Sequence, residues 1–469
     1  MKSIFRHEIP YGDSSVLLFE AIRDMPEAIW LDSGKPISDK GSADIISSCP
    51  DVMIETRGNE STITSELGHR TSQEDPFVLA NELLEPLLPI EPNHQDLPFV
   101  GGLLGYFGYD LGRRLIDIPS IASSVTELPD MRIGRFLWAL VVNHDAKKSE
   151  IVFHENCSER LKTDVISRLT KAAAKTSLDI RSRFKLKQPF KPTLARSEYA
   201  DAIAKIKDYI SKGDCYQTNF TQHFSTTYDG DLWPAYLALR ESLPSPFSAY
   251  WKWPDQAVLC ISPERFLKVS NNSSGDALQA ETKPIKGTVP RGRSLLEDEQ
   301  SATALFNSPK DRAENLMIVD LLRNDLSKNC RPGSVKVPHL FAVESFANVH
   351  HLVSTVTGEL SQNSSPIDLL RDCFPGGSIT GAPKRRAMQI IEQLEPVRRS
   401  VYCGSIGYVS ANNQMDTNIA IRTVVASGSR LHCWGGGGIV ADSEAESEFE
   451  ESMAKIRLLL ETLEKFASP

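Results

Sequence analysis

The sequence predicts an α+β fold, and three observations carry that reading. The first third of the chain is rich in strand patterns, helical periodicity sets in at Ser197, and strands and amphipathic helices alternate from there onward. At 469 residues the chain exceeds one ordinary core, so two domains or one large composite domain is expected. Hydrophobic residues make up 41% and charged residues 24%, a globular composition with ample material to bury.

Residues 1–180 read as the first, strand-rich unit. "PFVGGLLGYFGYDLG" (98–112) combines apolar residues with closely spaced glycines, which suits strands approached by other backbone. "RIGRFLWALVVNHDAKKSEIVFHEN" has the pattern of a hairpin, with "NHDAKKS" as its turn. Residues 181–196, basic and interrupted by proline, read as a linker into a second unit over 197–469. That unit opens on a helix with Tyr199, Ile203, Ile206 and Ile210 on one face, stopped by Gly213. "CYQTNFTQHFST" then alternates as a strand, and "AVLCISPERFLKVS" and "SVYCGSIGYVS" are strands by their β-branched and apolar content. Ser308, Pro309 and Asp311 stand in the order of helix cap, first-turn proline and capping-box acid. The last helix, from about residue 442, carries Phe449, Met453, Ile456, Leu460 and Leu463 as a core-facing stripe.

A net charge of −9 argues against whole-molecule attraction to nucleic acid or an anionic membrane, so an anionic substrate must be held locally. The start lacks the apolar core of a signal peptide, and the longest strongly apolar run, "FLWALVV", is too short to span a bilayer; the expected location is the cytoplasm. Eight scattered cysteines without a C-x-x-C pair indicate neither a zinc site nor a disulfide scaffold.

Chemistry concentrates in the second unit. Glu448, Glu451 and Lys455 share one helical face, and Asp311 and Glu314 form a second acidic pair. Read alone, the first is a solvated face and Asp311 a capping residue. Two carboxylate pairs on separate helices would also suit a hard cation, which takes oxygen ligands and leaves room for substrate and water. "GGSITGAPK" is not a nucleotide loop, because Ala382 follows Gly381 where lysine is required. It reads as a loop feeding a helix with Pro383 in its first turn, whose free amides suit a carboxylate. "WGGGGIVADS" alone is a flexible turn. Arg422, in the apolar strand expected over "IAIRT", needs a partner, from within the protein or from a ligand. His351 alone is a core histidine, and "LLRNDL" (321–326) reads as helix termination and structural polar bonding.

Taken together and in order, "SPERF", "PIKGT", "ENLMIVDLLRNDL", "HHLVSTV", "PGGSITGAPK", "YCGSIGY", "IAIRT" and "GGGIVADSEAESEFEES" resemble the chorismate-utilising family of anthranilate, aminodeoxychorismate, isochorismate and salicylate synthases. The match covers about residues 195–460, and "PFVGGLLGYFGYD" resembles the N-terminal domain of the amine-forming members. The resemblance implies a large antiparallel β-sandwich with helices packed outside. It implies Mg²⁺ held by Glu314 and Glu451, with Glu448 and Asp311 in the outer shell. For the substrate it implies Arg422 on the enolpyruvyl carboxylate, assisted by Tyr402 and Lys455; a Ser378 hydroxyl and the Gly438 backbone as further ligand contacts; His351 against the ring; and Glu264 as general acid. Ser33, Lys40, Gly41, Ser42, Ala43, Pro246, Phe247 and Ser248 fall where relatives enclose tryptophan, with ordinary packing as the alternative. "LLFEA" (17–21) replaces the "LLES" of regulated relatives, so feedback inhibition is not expected.

Two positions report on the nucleophile. Water-using members have a lysine base where this chain has Gln217; an amide cannot deprotonate water, and ammonia needs no strong base. Lys286 of "PIKGT" stands where ortho-aminating members have alanine. An amine beside carbon 2 of chorismate can attack it and expel the carbon-4 hydroxyl through the diene; ammonia then attacks carbon 4, giving a para product. That lysine must be neutral, so a lowered pKa is expected. The expected reaction is chorismate and ammonia to 4-amino-4-deoxychorismate, on the way to 4-aminobenzoate and folate. No glutaminase nucleophile is recognisable, which implies a separate glutamine amidotransferase subunit. An anthranilate-forming subunit and a non-catalytic, tryptophan-sensing or glutaminase-binding paralogue are the alternatives.

Overall fold

The computed structural model describes residues 1–91, 94–175, 177, 182–272, 275, 277–346 and 349–467. Strands from both ends of the chain merge into two large antiparallel sheets with helices outside, as the α+β reading expects. In the first sheet Ile29–Asp32 pairs with Phe247–Trp253, so residues before 160 continue directly into strands Gln256–Ser262, Thr423–Ser427, Arg430–Ile439 and Gln217–Gly230. In the second, Gly102–Phe107 pairs with Ser405–Ser410 and leads through Met415–Asn418, Arg265–Asn271 and Leu278–Thr282 to Val349–Glu359 and Ile285–Pro290. The sheets meet through aromatic side chains: Tyr106 of the second packs edge-on against Trp251 of the first, with ring centroids 6.2 Å apart.

Three local expectations change. The hairpin is Trp138–Asn143 with Lys148–His154, whereas Met131–Phe136 belongs to the other sheet; the chain changes layer at buried Leu137. The segment expected as a linker carries sheet edge, since Phe184–Leu186 and Lys191–Pro192 both pair with Gln217–Gly230; its boundary at residues 180 and 181 lies outside the described residues. The strand expected to alternate is buried on both faces from Gln217 to Phe224, because helix Arg196–Ser211 packs Tyr199 on Phe220 on one side, while Glu395 and Arg399 bond to Thr221 and Asn219 on the other. Among the described residues no helix is long and apolar enough to cross a membrane.

Candidate functional site

Lys286 lies in strand Ile285–Pro290, the end strand of the second sheet. Its ammonium end approaches Gly438 of strand Arg430–Ile439: a methyl group on Gly438 would stand 3.4 Å from Lys286 Nζ and 2.6 Å from Gln217 Nε2. Only glycine leaves room for both. Gln217 is fully buried, and among the described residues neither atom of its amide has a hydrogen-bond partner. A buried amide left this way costs several kcal/mol, on the order of 2–7, unless a ligand satisfies it.

Burial pushes the Lys286 amine below its ordinary value; Glu314 is the strongest charge holding the proton on, and Lys455 repels it. Glu264, between strands Gln256–Ser262 and Arg265–Asn271, moves the other way. Burial raises its carboxyl to about 7, against the stabilising Ser378 hydroxyl and the charge of Lys286. Ser378 Oγ donates to Glu264 Oε1 at 3.0 Å. A carboxylic acid poised near neutrality beside a lysine made easier to deprotonate can supply a proton and a nucleophile.

The acidic residues arrive on two helices. Ser308 caps Pro309–Ser327 by accepting from Asp311 N at 3.3 Å, but the return half of a capping box is absent, since Ser308 N donates to Leu305 O. The Asp311 carboxylate lies instead against Gly287, which its φ of +81° and the 2.9 Å that would separate an added methyl from Asp311 Cγ both require to be glycine. On helix Ala445–Glu464, Lys455 Nζ donates to Gly436 O at 3.1 Å and pairs with Glu451 Oε1 at 2.7 Å. Glu448 is buried and accepts from Ser443 Oγ at 2.6 Å. The four glycines are strand rather than turn. Gly437 faces this helix, where an added methyl would stand 3.6 Å from both Glu448 Oε2 and Glu451 Oε1, while Gly438 faces Lys286 and Gln217.

Among the described residues no three His, Cys, Asp or Glu side chains converge as a ready metal cage. The donor chemistry nevertheless fits a hard cation. Among the described residues Glu314 has no hydrogen bond or ion pair, and its carboxyl is raised by burial, with Asp311 and Glu451 adding like charge against the pull of Lys286 and Lys310. Mg²⁺ commonly takes one or two protein carboxylates and completes its shell with substrate and water.

His351 is buried on strand Val349–Glu359, its Nδ1 2.7 Å from Thr288 Oγ1, and burial together with nearby Arg422 lowers its pKa to about 4. It stays neutral at physiological pH. Arg422 is not in a strand: it occupies the bend between Met415–Asn418 and Thr423–Ser427 at φ +49°, where the chain crosses between sheets. Among the described residues its guanidinium has no hydrogen bond or ion pair, and burial alone disfavours its charge. Such a cation can take an anion from outside the protein. Tyr402 is buried with its ring stacked on Trp434 at 5.8 Å, and no hydrogen bond joins it to Arg422 among the described residues. Pro383 is the residue capping helix Lys384–Leu394 rather than part of its first turn, and Ser378 sits in the preceding turn Gly377–Ile379. Asp325 pairs with Lys328 and Lys384, the structural role expected for "LLRNDL".

A cavity of about 200 Å³ lies apart from these residues, where N- and C-terminal strands join. Lys40, Gly41, Ser42, Ala43, Pro246, Phe247 and Ser248 line it, with Asp32, Arg265 and Asp416. Ser33 is buried next to Asp32, and its hydroxyl has no hydrogen-bond partner among the described residues. Arg265 and Thr288 were missed by the sequence reading although both stand inside its motifs; their strand positions beside Glu264 and Lys286 were the available signal.

A family model for chorismate binding enzyme matches residues 27–461. Aminodeoxychorismate synthase component 1 of Salmonella typhimurium is 44% identical over 453 residues, covering 96% of either chain. The Escherichia coli protein of the same name is 42% identical over 457 residues, covering 97% of each. Among solved structures, anthranilate synthase component I from Streptococcus pneumoniae superposes with a TM-score of 0.78 at 30% identity, over 90% of this chain and 92% of that one.

Proposed function

This chain belongs to the chorismate binding enzyme family, and from that premise we propose that it converts chorismate and ammonia into 4-amino-4-deoxychorismate in the cytoplasm, with Lys286 as covalent nucleophile. The observation that carries the reading is the pairing of a buried, depressed lysine with a carboxylic acid raised to about 7 in a site with no lysine base at Gln217.

Arg422 takes a substrate carboxylate, and neutral His351, held by Thr288, faces the ring. Neutral Lys286 Nζ forms a bond to carbon 2, the double bonds shift, and the carbon 4–oxygen bond breaks as Glu264 donates its proton, releasing water. Ammonia then bonds to carbon 4, the electrons return, and the carbon 2–nitrogen bond breaks. Lys286 leaves as a neutral amine, and the Glu264 carboxylate recovers a proton from the new ammonium. The orphaned Gln217 amide lies beside Lys286 to accept a hydrogen bond from ammonia. Glu314 and Glu451 would hold Mg²⁺, with Glu448 and Asp311 around it, and that ion would neutralise the substrate carboxylate against these acids. Ammonia would come from a separate glutamine amidotransferase, in keeping with the "component 1" in the relatives' names. The cavity lined by Lys40, Phe247 and Ser248 would hold L-tryptophan, within walls braced by the Asp32–Arg240 and Arg265–Asp416 ion pairs.

Incubation with chorismate, Mg²⁺ and ammonium, with products separated and identified by mass spectrometry and NMR, tests the reading. 4-Amino-4-deoxychorismate is expected. Anthranilate, isochorismate or no turnover overturns it.

A further inference from the structure

We propose that Ser378 is a positioning residue for the general acid: its hydroxyl holds the Glu264 carboxyl by one oxygen so that the other faces the departing hydroxyl, and it does not hold a substrate carboxylate. The inference rests on the reaction proposed above and reassigns a side chain whose motif implied a contact with the substrate.

The geometry is specific. Ser378 Oγ donates to Glu264 Oε1 at 3.0 Å and is the stronger of two hydrogen bonds on this carboxyl, the other coming from the Ile285 backbone, while Lys286 and Lys455 are the charges that face it. The Glu264 main chain is clamped independently: its N–H donates to Ser262 Oγ at 3.2 Å and its C=O accepts from Ile419 N at 3.0 Å. Ser262 Oγ in turn donates to Ile419 O at 2.6 Å. The backbone is therefore fixed, and the side chain's orientation depends on what grips the carboxyl.

The turn presenting Ser378 is equally constrained. Thr380 Oγ1 donates to Gly376 O at 2.9 Å, Arg399 donates to Ile379 O at 2.8 Å, and Asn219 N donates to Thr380 O at 2.8 Å. Arg399 is itself buried and paired with Glu395 at 2.6 Å. A methyl on Gly377 would stand 2.5 Å from Leu321, so the turn is pressed against helix Pro309–Ser327. A turn whose carbonyls are capped on both sides of one serine holds that hydroxyl where it is, and here the hydroxyl meets the acid.

A hydroxyl donor favours the carboxylate form. It therefore assists the step in which Glu264 gives up its proton, and its removal makes the acid weaker and freer to rotate. The test uses the full chain with chorismate, Mg²⁺ and saturating ammonia, with rates normalised to free ammonia across pH. Ser378→Ala is expected to lower kcat by about 10- to 100-fold, the range for losing one hydrogen bond to an ionised group. KM for chorismate should stay within about twofold. The alkaline limb of kcat should move to higher pH, and Ser378→Thr, which keeps the hydroxyl, should restore both rate and limb. A KM rise in Ser378→Ala with kcat and the limb unmoved would overturn the proposal in favour of substrate binding. An alanine and a threonine variant equally impaired, with lowered melting temperatures, would overturn it in favour of a packing role. Failure of the wild-type enzyme to aminate chorismate would instead reject the underlying reaction.

Discussion

Replacing Glu264 with glutamine should cripple the enzyme and stabilise the protein at once. The carboxyl is buried, and its pKa rises from an ordinary 4.5 to about 7. Between those values the folded protein keeps a proton that the unfolded chain releases, so stability falls as pH rises across the window and stays low above it. At about 1.4 kcal/mol per pH unit, the loss is about 3 kcal/mol by neutral pH. Glutamine has the same shape, can still accept from the Ser378 hydroxyl, and carries no charge to desolvate. For a chain of 469 residues the unfolding entropy is about 1 kcal/mol per degree. Glu264→Gln should therefore melt about 3 °C above wild type at pH 8 and within a degree of it at pH 4.5. Turnover should fall by about 10²- to 10⁴-fold with little change in chorismate binding. Scanning calorimetry of the ligand-free proteins from pH 4.5 to 8, beside steady-state kinetics, measures both effects. A melting difference that is independent of pH would refute the buried, raised carboxyl, and a defect confined to KM would refute its role as acid.

Lys286→Ala removes the nucleophile but keeps Glu264, so ammonia can reach carbon 2; 2-amino-2-deoxyisochorismate or anthranilate should appear slowly while the para product falls sharply. Para product at a near wild-type rate in that variant would show that the lysine is not the nucleophile. Arg422→Gln should raise KM for chorismate by about 10²-fold without lowering the melting temperature of the free protein, because no group within the described protein pairs with the guanidinium; a large stability loss with KM intact would make Arg422 structural. Glu451→Gln should weaken Mg²⁺-dependent chorismate binding, read by calorimetric titration, and wild-type activity should vanish in excess chelator. Full activity in chelator would contradict the metal assignment.

Much of the fold was legible because it rests on local pattern. Tyr199, Ile203 and Ile206 mark a helix by spacing alone, and they are buried on helix Arg196–Ser211. Ser308 and Pro309 mark a helix start because the bonds of a cap are made within a few residues. The expectations that failed are those in which a distant partner overrides the local signal. Four consecutive glycines read as a flexible turn, yet Gln217–Gly230 pairs along them and makes them strand. Arg422 follows apolar residues that suggest a strand, yet the chain must bend there to change sheets.

By itself, the sequence determined which chemical groups this protein has to work with: a lysine in "PIKGT", an acid in "SPERF", a glutamine where a base would stand, and two acidic pairs on helices. Residue identity, helix periodicity and motif order are properties of the chain. Their protonation and their contacts are not, because both depend on which atoms from elsewhere exclude water. Only the tertiary structure buried Glu264 enough to keep its proton near pH 7 while pushing Lys286 toward neutrality. Only it set Ser378 against that acid, across 114 residues of sequence, and left the Gln217 amide and the Arg422 guanidinium without partners inside the described protein.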